Sequence, residues 1–239
     1  MAHLVPSDGS GNNEGMATAG PIPIESMQAL SGNRRILACT TFVDMDQEYI
    51  NTINAISQYY SDYQLSTTIT TSAAELGSML DTVDVFLIPE QEDGGSLSYF
   101  YDLGVSWSEV IGSFVKGGGT IILCGDHESG EILNASGLMH MAYAANAYGN
   151  ALTLEDSTHY LTAGVTGHVT GQNATFVVSL SDTLASNLIS YSDYAAVAHR
   201  RIGRGDVVYI GYDYYAYNDN AARVISNAVA GARGQRAWL

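Results

Sequence analysis

Lysine is almost missing from this chain. Lys116 is the single one, and Lys and Arg together number 9 against 25 Asp and Glu, a formal net charge of −16 in 239 residues. The imbalance is a shortage of base, not a surplus of acid, because only 14% of residues are charged. A surface so poor in cations repels phosphate backbones, which excludes nucleic acid as a partner. Cysteine is nearly as scarce. Cys39 and Cys124 both sit in apolar runs, where two buried free thiols are expected and neither a disulfide framework nor a zinc site is. No apolar run reaches the roughly 18 residues that a membrane-spanning helix needs. The first residues lack a basic segment followed by an apolar one, so no signal peptide is expected in this chain.

Gly, Ser, Thr, Asn and Tyr are plentiful instead. With lysine so rare, this leans toward an exported or cell-surface setting. Asn134-Ala-Ser136 and Asn173-Ala-Thr175 fit the glycosylation pattern, a pattern that also arises by chance. The negative balance accommodates calcium or a cationic partner, and it equally serves solubility alone.

Residues 1–32 are rich in Gly, Ser, Asn and Pro and read as tail or linker, with Pro21 to Ile24 able to add one short extended contact. Residues 33–232 read as one α/β domain, and 233–239 as a C-terminal tail. Arg34 to Val43 is the first strand. A helix follows over Tyr49 to Tyr63, with Asp46 as its cap and Ile50, Ile53, Ile56 and Tyr60 near one face. Leu65 to Thr71 alternates with polar residues, as an edge strand does. Ser72 with Glu75 is a capping box opening a short helix through Leu80. Val83 to Pro89 is a third strand, and the acidic, glycine-rich loop Glu90 to Gly95 lies at its carboxyl end.

The stretch from Ser106 to Glu131 organises the whole. Ser106 with Glu109 reads as a second capping box, and Trp107, Val110, Ile111, Phe114 and Val115 share one helical face. Gly117 is placed to stop that helix. Thr120 to Cys124 is apolar on both faces, as a central parallel strand should be. Ser129 to Met141 reads as helical, interrupted near Gly137. Asn150 to Leu154 and Ala174 to Leu180 read as strands. Tyr194 to Ile202 and Asp206 to Tyr212 read as an antiparallel hairpin around Gly203-Arg-Gly205. Asn218 caps a final helix ending at Ala230, with Ala221, Val224, Ile225 and Val229 inward. The alternation predicts a three-layer α/β/α fold: a mostly parallel sheet with an antiparallel C-terminal hairpin extension.

Val83 to Pro89, Phe114 to Asp126, His159 to Val165, Gly203 to Asp213 and the last helix, in this order, resemble the class I glutamine amidotransferase-like superfamily, a flavodoxin-like fold. The likeness covers roughly residues 34–230 and is strongest to the ThuA-like and other non-amidotransferase branches. Active amidotransferases carry a Gly-x-Cys-x-Gly elbow after the fourth strand and a late His-x-Glu pair. Here Cys124 falls one or two positions early, and the elbow slot falls nearer Gly125 or Asp126. Tyr212-Asp213-Tyr214 stands where the histidine would be. A thiol without a base or exposure is a poor nucleophile, so amidotransferase chemistry is not expected. By the same likeness His159-Tyr-Leu-Thr162 matches a segment that serves as a structural turn. His199, inside the hairpin, is expected to be satisfied by a neighbour or water.

In this fold the carboxyl edge of the sheet would gather Asp44, Asp46, Glu90, Asp126, His127 and Asp213. Clustered carboxylates either keep protons or hold a cation. Hard oxygen ligands suit calcium or magnesium, and His127 would admit a transition metal. The same residues also serve as caps and turn formers. Tyr212, Tyr214, Tyr215 and Tyr217 crowd one loop, for packing or for stacking on a sugar ring. The expected function is a non-catalytic binding or interaction domain with a protein or carbohydrate ligand, in an exported or surface assembly. Two alternatives are a hydrolase on a carbohydrate-like or amide substrate using Asp126, His127 and Glu90, and a self-associating structural protein that forms homo-oligomers.

Overall fold

The computed structural model describes residues 33–166 and 168–233. The tails expected over 1–32 and 233–239 lie outside these residues apart from Arg233, as does the contact expected of Pro21 to Ile24. Five parallel strands form the centre: β1 (Arg34–Cys39), β2 (Tyr63–Thr68), β3 (Val85–Ile88), β4 (Thr120–Cys124) and, far along the chain, β11 (Gly205–Ile210), in the order β2-β1-β3-β4-β11. β10 (Tyr194–Ile202) pairs antiparallel with β11 through the Gly203 turn, as the hairpin reading requires. Beyond it lie β9 (Ala185–Tyr191), β6 (Ala151–Leu154) and the short β7 (Val169–Thr170). β5 (Met141–Asn146) pairs with β8 (Phe176–Leu180), which touches β10. The sheet is thus mostly parallel at its centre with an antiparallel extension.

The central strands alternate between two cores, as a period of two demands. Ile36, Val85, Leu87, Ile122, Val208 and Ile210 face one side, where α1 (Glu48–Tyr59) and α5 (Asp219–Ala230) pack. Leu37, Phe86, Ile88, Ile121, Leu123 and Tyr209 face the other, under α2 (Ala73–Leu80), α3 (Leu97–Gly117) and α4 (Glu131–Ala135). Each fully buried aliphatic side chain contributes roughly 1.5–3 kcal/mol. β2, the polar-alternating strand, lies at the edge. Among the described residues no helix is long and apolar enough to cross a membrane.

Several expected boundaries move. Ser106 and Glu109 do not open a helix: both lie exposed inside α3, whose N-cap is Ser96, accepting a hydrogen bond from the Tyr99 backbone N–H. The capping pattern there is a coincidence of surface residues, and Phe100, Leu103 and Trp107 already bury the helix's first turns. Gly118, at φ 115°, and not Gly117, ends α3 in the left-handed region that favours glycine. Asp46 does not cap α1. The Asp44 carboxylate accepts from the backbone N–H groups of Asp46 (2.8 Å) and Gln47 (3.2 Å), turning the chain into that helix. Ile50 is exposed, but Ile56 is buried as expected, with Glu48, Thr52 and Ala55 beside it, and Ile53 and Tyr60 pack half-buried against the same core. The helix expected over Ser129 to Met141 is only α4; from Met141 the alanine-rich chain is the strand β5. β9, not foreseen, pairs antiparallel with β10.

Candidate functional site

Three turns leave the carboxyl edge of the parallel sheet close together. The turn after β1 ends at Asp44 and delivers Glu48 as the first residue of α1. The turn after β3 delivers Glu90. It is clamped by Gln91, whose side-chain amide donates to the carbonyls of Cys39 (3.2 Å) and Pro89 (2.8 Å) and accepts from the Phe42 N–H (3.3 Å). The turn after β11 delivers Asp213. One oxygen from each of Glu48, Glu90 and Asp213 lies within 4.8 Å of the others, and all three residues are buried.

The three are held differently. Asp213 is saturated with donors: Asn173 Nδ2 (2.6 Å) and the Ala174 N–H (3.2 Å) on one oxygen, and the Tyr215 N–H (2.6 Å) on the other. To reach Asp213, Asn173 adopts φ 40° and commits its amide nitrogen inside the molecule. Among the described residues no N–H or hydroxyl donor reaches either oxygen of Glu48, whose hydrogen-bonding neighbour is another acid, Asp213, with which it can bond only by sharing a proton; Glu90 leaves Oε2 without a partner. Burial pushes Glu90 up to about 10, reinforced by the charges of Glu48, Asp213, Asp126 and Glu92. Burial also pushes Glu48 up to about 9, followed by hydrogen bonding to Asp213 and the charges of Asp213, Glu92 and Asp44.

Beside this triad opens a cleft of about 230 Å³ lined by Glu90, Glu92, Asp126, His127, Glu128 and Phe176, among others. Asp126 follows β4, and its Oδ1 accepts from the N–H groups of Glu128 and Ser129, forming the turn. His127 stands at the half-exposed rim, with Nδ1 3.1 Å from Glu128 and its ring 4.6 Å from that of Tyr143. Of the six residues expected at this edge, Glu90 and Asp213 meet in the triad, and Asp126 and His127 line the adjoining cleft. Asp44 shapes the turn into α1, and Asp46 is exposed beside it. Glu48 escaped notice because an acid in a helix's first turn is ordinary. The only signal was the run Asp44-Met-Asp46-Gln-Glu48 at a strand's carboxyl end.

No thiol reaches this site. Cys124 is fully buried in β4, and burial pushes it well above the usual thiol range. Cys39 is also free and buried. The elbow position is closed as well: a Cβ on Gly125 would lie 2.1 Å from the Tyr209 ring, whose hydroxyl donates to the Phe176 carbonyl (3.1 Å). His159 and His199 lie apart from the triad. His159 Nδ1 accepts from the Leu161 N–H (3.2 Å) and opens the 3₁₀ turn Tyr160–Thr162, while His199 Nε2 is 2.8 Å from Asp206.

No protein-family model and no curated protein matches the chain. Solved structures do share its fold. A cytoplasmic protein from Salmonella typhimurium is similar at TM-score 0.58 and 9% identity, over 83% of this chain and 98% of that one. A putative ThuA-like protein from Parabacteroides merdae is similar at TM-score 0.54 and 7% identity, over 85% and 92%. A beta-galactosidase from Bacillus circulans sp. alkalophilus is similar at TM-score 0.50 and 12% identity, over 83% of this chain and 30% of that one. The fold is therefore one shared with ThuA-like proteins and with part of a glycosidase.

Proposed function

We propose that the chain is a ligand-binding domain of the amidotransferase-like superfamily, without amidotransferase chemistry, whose site is centred on a hard divalent cation held by Glu48, Glu90 and Asp213. The observation that carries this reading is the convergence of three buried carboxylates in which three oxygens, two on Glu48 and one on Glu90, receive no hydrogen bond from an N–H or hydroxyl donor. Burying such oxygens uncompensated is costly, and a cation compensates it directly. Two oxygens on one calcium ion, at 2.3–2.6 Å each, are at most about 5 Å apart, which the observed spread allows. All three donors are oxygens, so calcium or magnesium fits better than a thiophilic metal. The cation's remaining positions would face the adjoining cleft and receive oxygens of a ligand. An exported or cell-surface assembly, rich in calcium, is the proposed setting.

Calorimetric titration with calcium and with magnesium tests this. We expect stoichiometric binding, a raised melting temperature reversed by chelator, and loss of both in Glu90→Gln. Silence toward both ions, with an unchanged melting temperature, would sink it. A second reading rests on the same Glu90: a carboxyl that keeps its proton at neutral pH beside Asp126 is equipped as a general acid. That hydrolase reading predicts turnover of aryl glycosides or amides, lost in Asp126→Asn at unchanged stability.

A further inference from the structure

A second depression lies on the other side of the Asp213 loop, between α1 and the start of α5. It encloses about 210 Å³ and is lined by Asn51, Asn54, Gln58, Tyr214, Tyr217 and Asn218, with two alanines completing it. In a chain with 25 acidic residues, no charged side chain lines this pocket. Nearby Asp219 is already engaged by the hydroxyls of Tyr59 and Tyr217, with Arg223 beside it.

The lining is also prepared for hydrogen bonding. Asn51 spends its Nδ2 on the Tyr215 carbonyl (3.0 Å), which leaves its Oδ1 free to accept. Asn218 spends its Oδ1 capping α5 through the Ala221 N–H (3.1 Å), which leaves its Nδ2 free to donate. Asn54 and Gln58, one helical turn apart on α1, make no side-chain hydrogen bond among the described residues. An amide offers a donor and an acceptor side by side, and a sugar hydroxyl is itself both. Tyr217 is 66% exposed, yet its hydroxyl is tied to Asp219 at 3.0 Å, so the side chain is anchored at its tip while most of its surface stays in water. A ring presented in this way suits the apolar C–H face of a pyranose.

We propose that this pocket binds a neutral saccharide, one pyranose ring deep, with Tyr217 as stacking platform and Asn51, Asn54, Gln58 and Asn218 as hydroxyl partners. The size argues for one ring, since sites for drug-sized ligands begin near ~300 Å³. The lining argues against a peptide, which would need pockets for aliphatic anchors, whereas two alanines and two tyrosines are the apolar groups here. The proposal stands apart from the cation site, since none of its lining residues belongs to the triad.

Saturation-transfer NMR on the full chain, with methyl glycosides of neutral hexoses and with glucuronic acid as a charged control, tests it in the presence of chelator. We expect transfer from at least one neutral pyranoside, none from the glucuronate, and affinity roughly tenfold weaker in Tyr217→Ala. Tyr217→Phe, which keeps the ring, should retain most of the binding, and circular dichroism should show both variants folded. Absence of transfer from every neutral glycoside overturns the proposal. So does equal transfer in wild type and folded Tyr217→Ala, or a peptide library bound at this pocket while the sugars stay silent. A positive result under chelator also separates this site from the cation reading, which fails or stands on the titrations alone.

Discussion

Buried acids at the two edges of the sheet are treated in opposite ways. At the amino-terminal edge, Asp84 precedes β3 and meets Arg35 through two side-chain bonds (2.8 and 3.2 Å) and a backbone N–H (3.0 Å). Asp206, at the start of β11, has His199 at 2.8 Å and Arg201 at 3.6 Å. At the carboxyl edge, Glu48, Glu90 and Asp213 crowd together, and the charges that weigh most on Glu90 are other carboxylates. A chain with only 9 Lys and Arg nonetheless spends three of its arginines and histidines on the first edge and leaves the second to itself. Pairing is what a buried charge needs for stability. Where it is withheld, a ligand is the natural compensation.

The comparison breaks most sharply at the paired edge. Arg35→Met strands Asp84 and should cost about 3 kcal/mol in urea denaturation. A cation supplied at a hundred times its dissociation constant should add about 2.7 kcal/mol at the other edge, read as a rise in melting temperature. Glu90→Gln replaces a carboxyl that folding must protonate at pH 8 by an amide that is neutral in both states, and without cation it should stabilise the chain by roughly 1–2 kcal/mol, the opposite sign to Arg35→Met. His199→Gln should cost the least, about 1 kcal/mol, because Arg201 still faces Asp206.

The pH dependence sharpens the same contrast. Glu48 and Glu90 hold protons up to about 9 and about 10 in the folded chain. The folded state therefore binds more protons than the unfolded one above the ordinary carboxyl value of 4.5. Their contribution is complete below that value and is lost as pH rises through 9 and 10. His159, pushed down to about 4 chiefly by burial and then by His199, acts the other way: its contribution is complete above its ordinary 6.5 and is lost as pH falls toward 4. Above 6.5 only the falling limb remains. Bound cation displaces the carboxyl protons, so its stabilising effect should grow from pH 6 to pH 9. Melting curves across that range, with calcium and with chelator, check the crossing.

The central layer of the fold was legible because period and composition speak plainly there. Thr120 to Cys124 has no polar face, and Leu65 to Thr71 has one, so their places inside and at the edge followed. What misled was local chemistry without tertiary context. Ser106 and Glu109 have the spacing of a cap, but Phe100 and Leu103 already bury the helix around them. Met141 to Asn146 is alanine-rich, and only its pairing with β8 makes it a strand. Of the site, Glu90 and Asp213 were readable from their places after strands. Glu48 was not: nothing local marks which side of a helix's first turn faces inward, and its partners lie far along the chain.

The Tyr209 ring over Gly125 ties these two positions to one another. A thiol cannot be placed directly after β4 by one change, because Gly125→Cys would strike a phenol ring fully enclosed in the core. Tyr209 would have to shrink first, opening a void before any nucleophile could fill it. Each step alone is harmful, so the two positions can change only together.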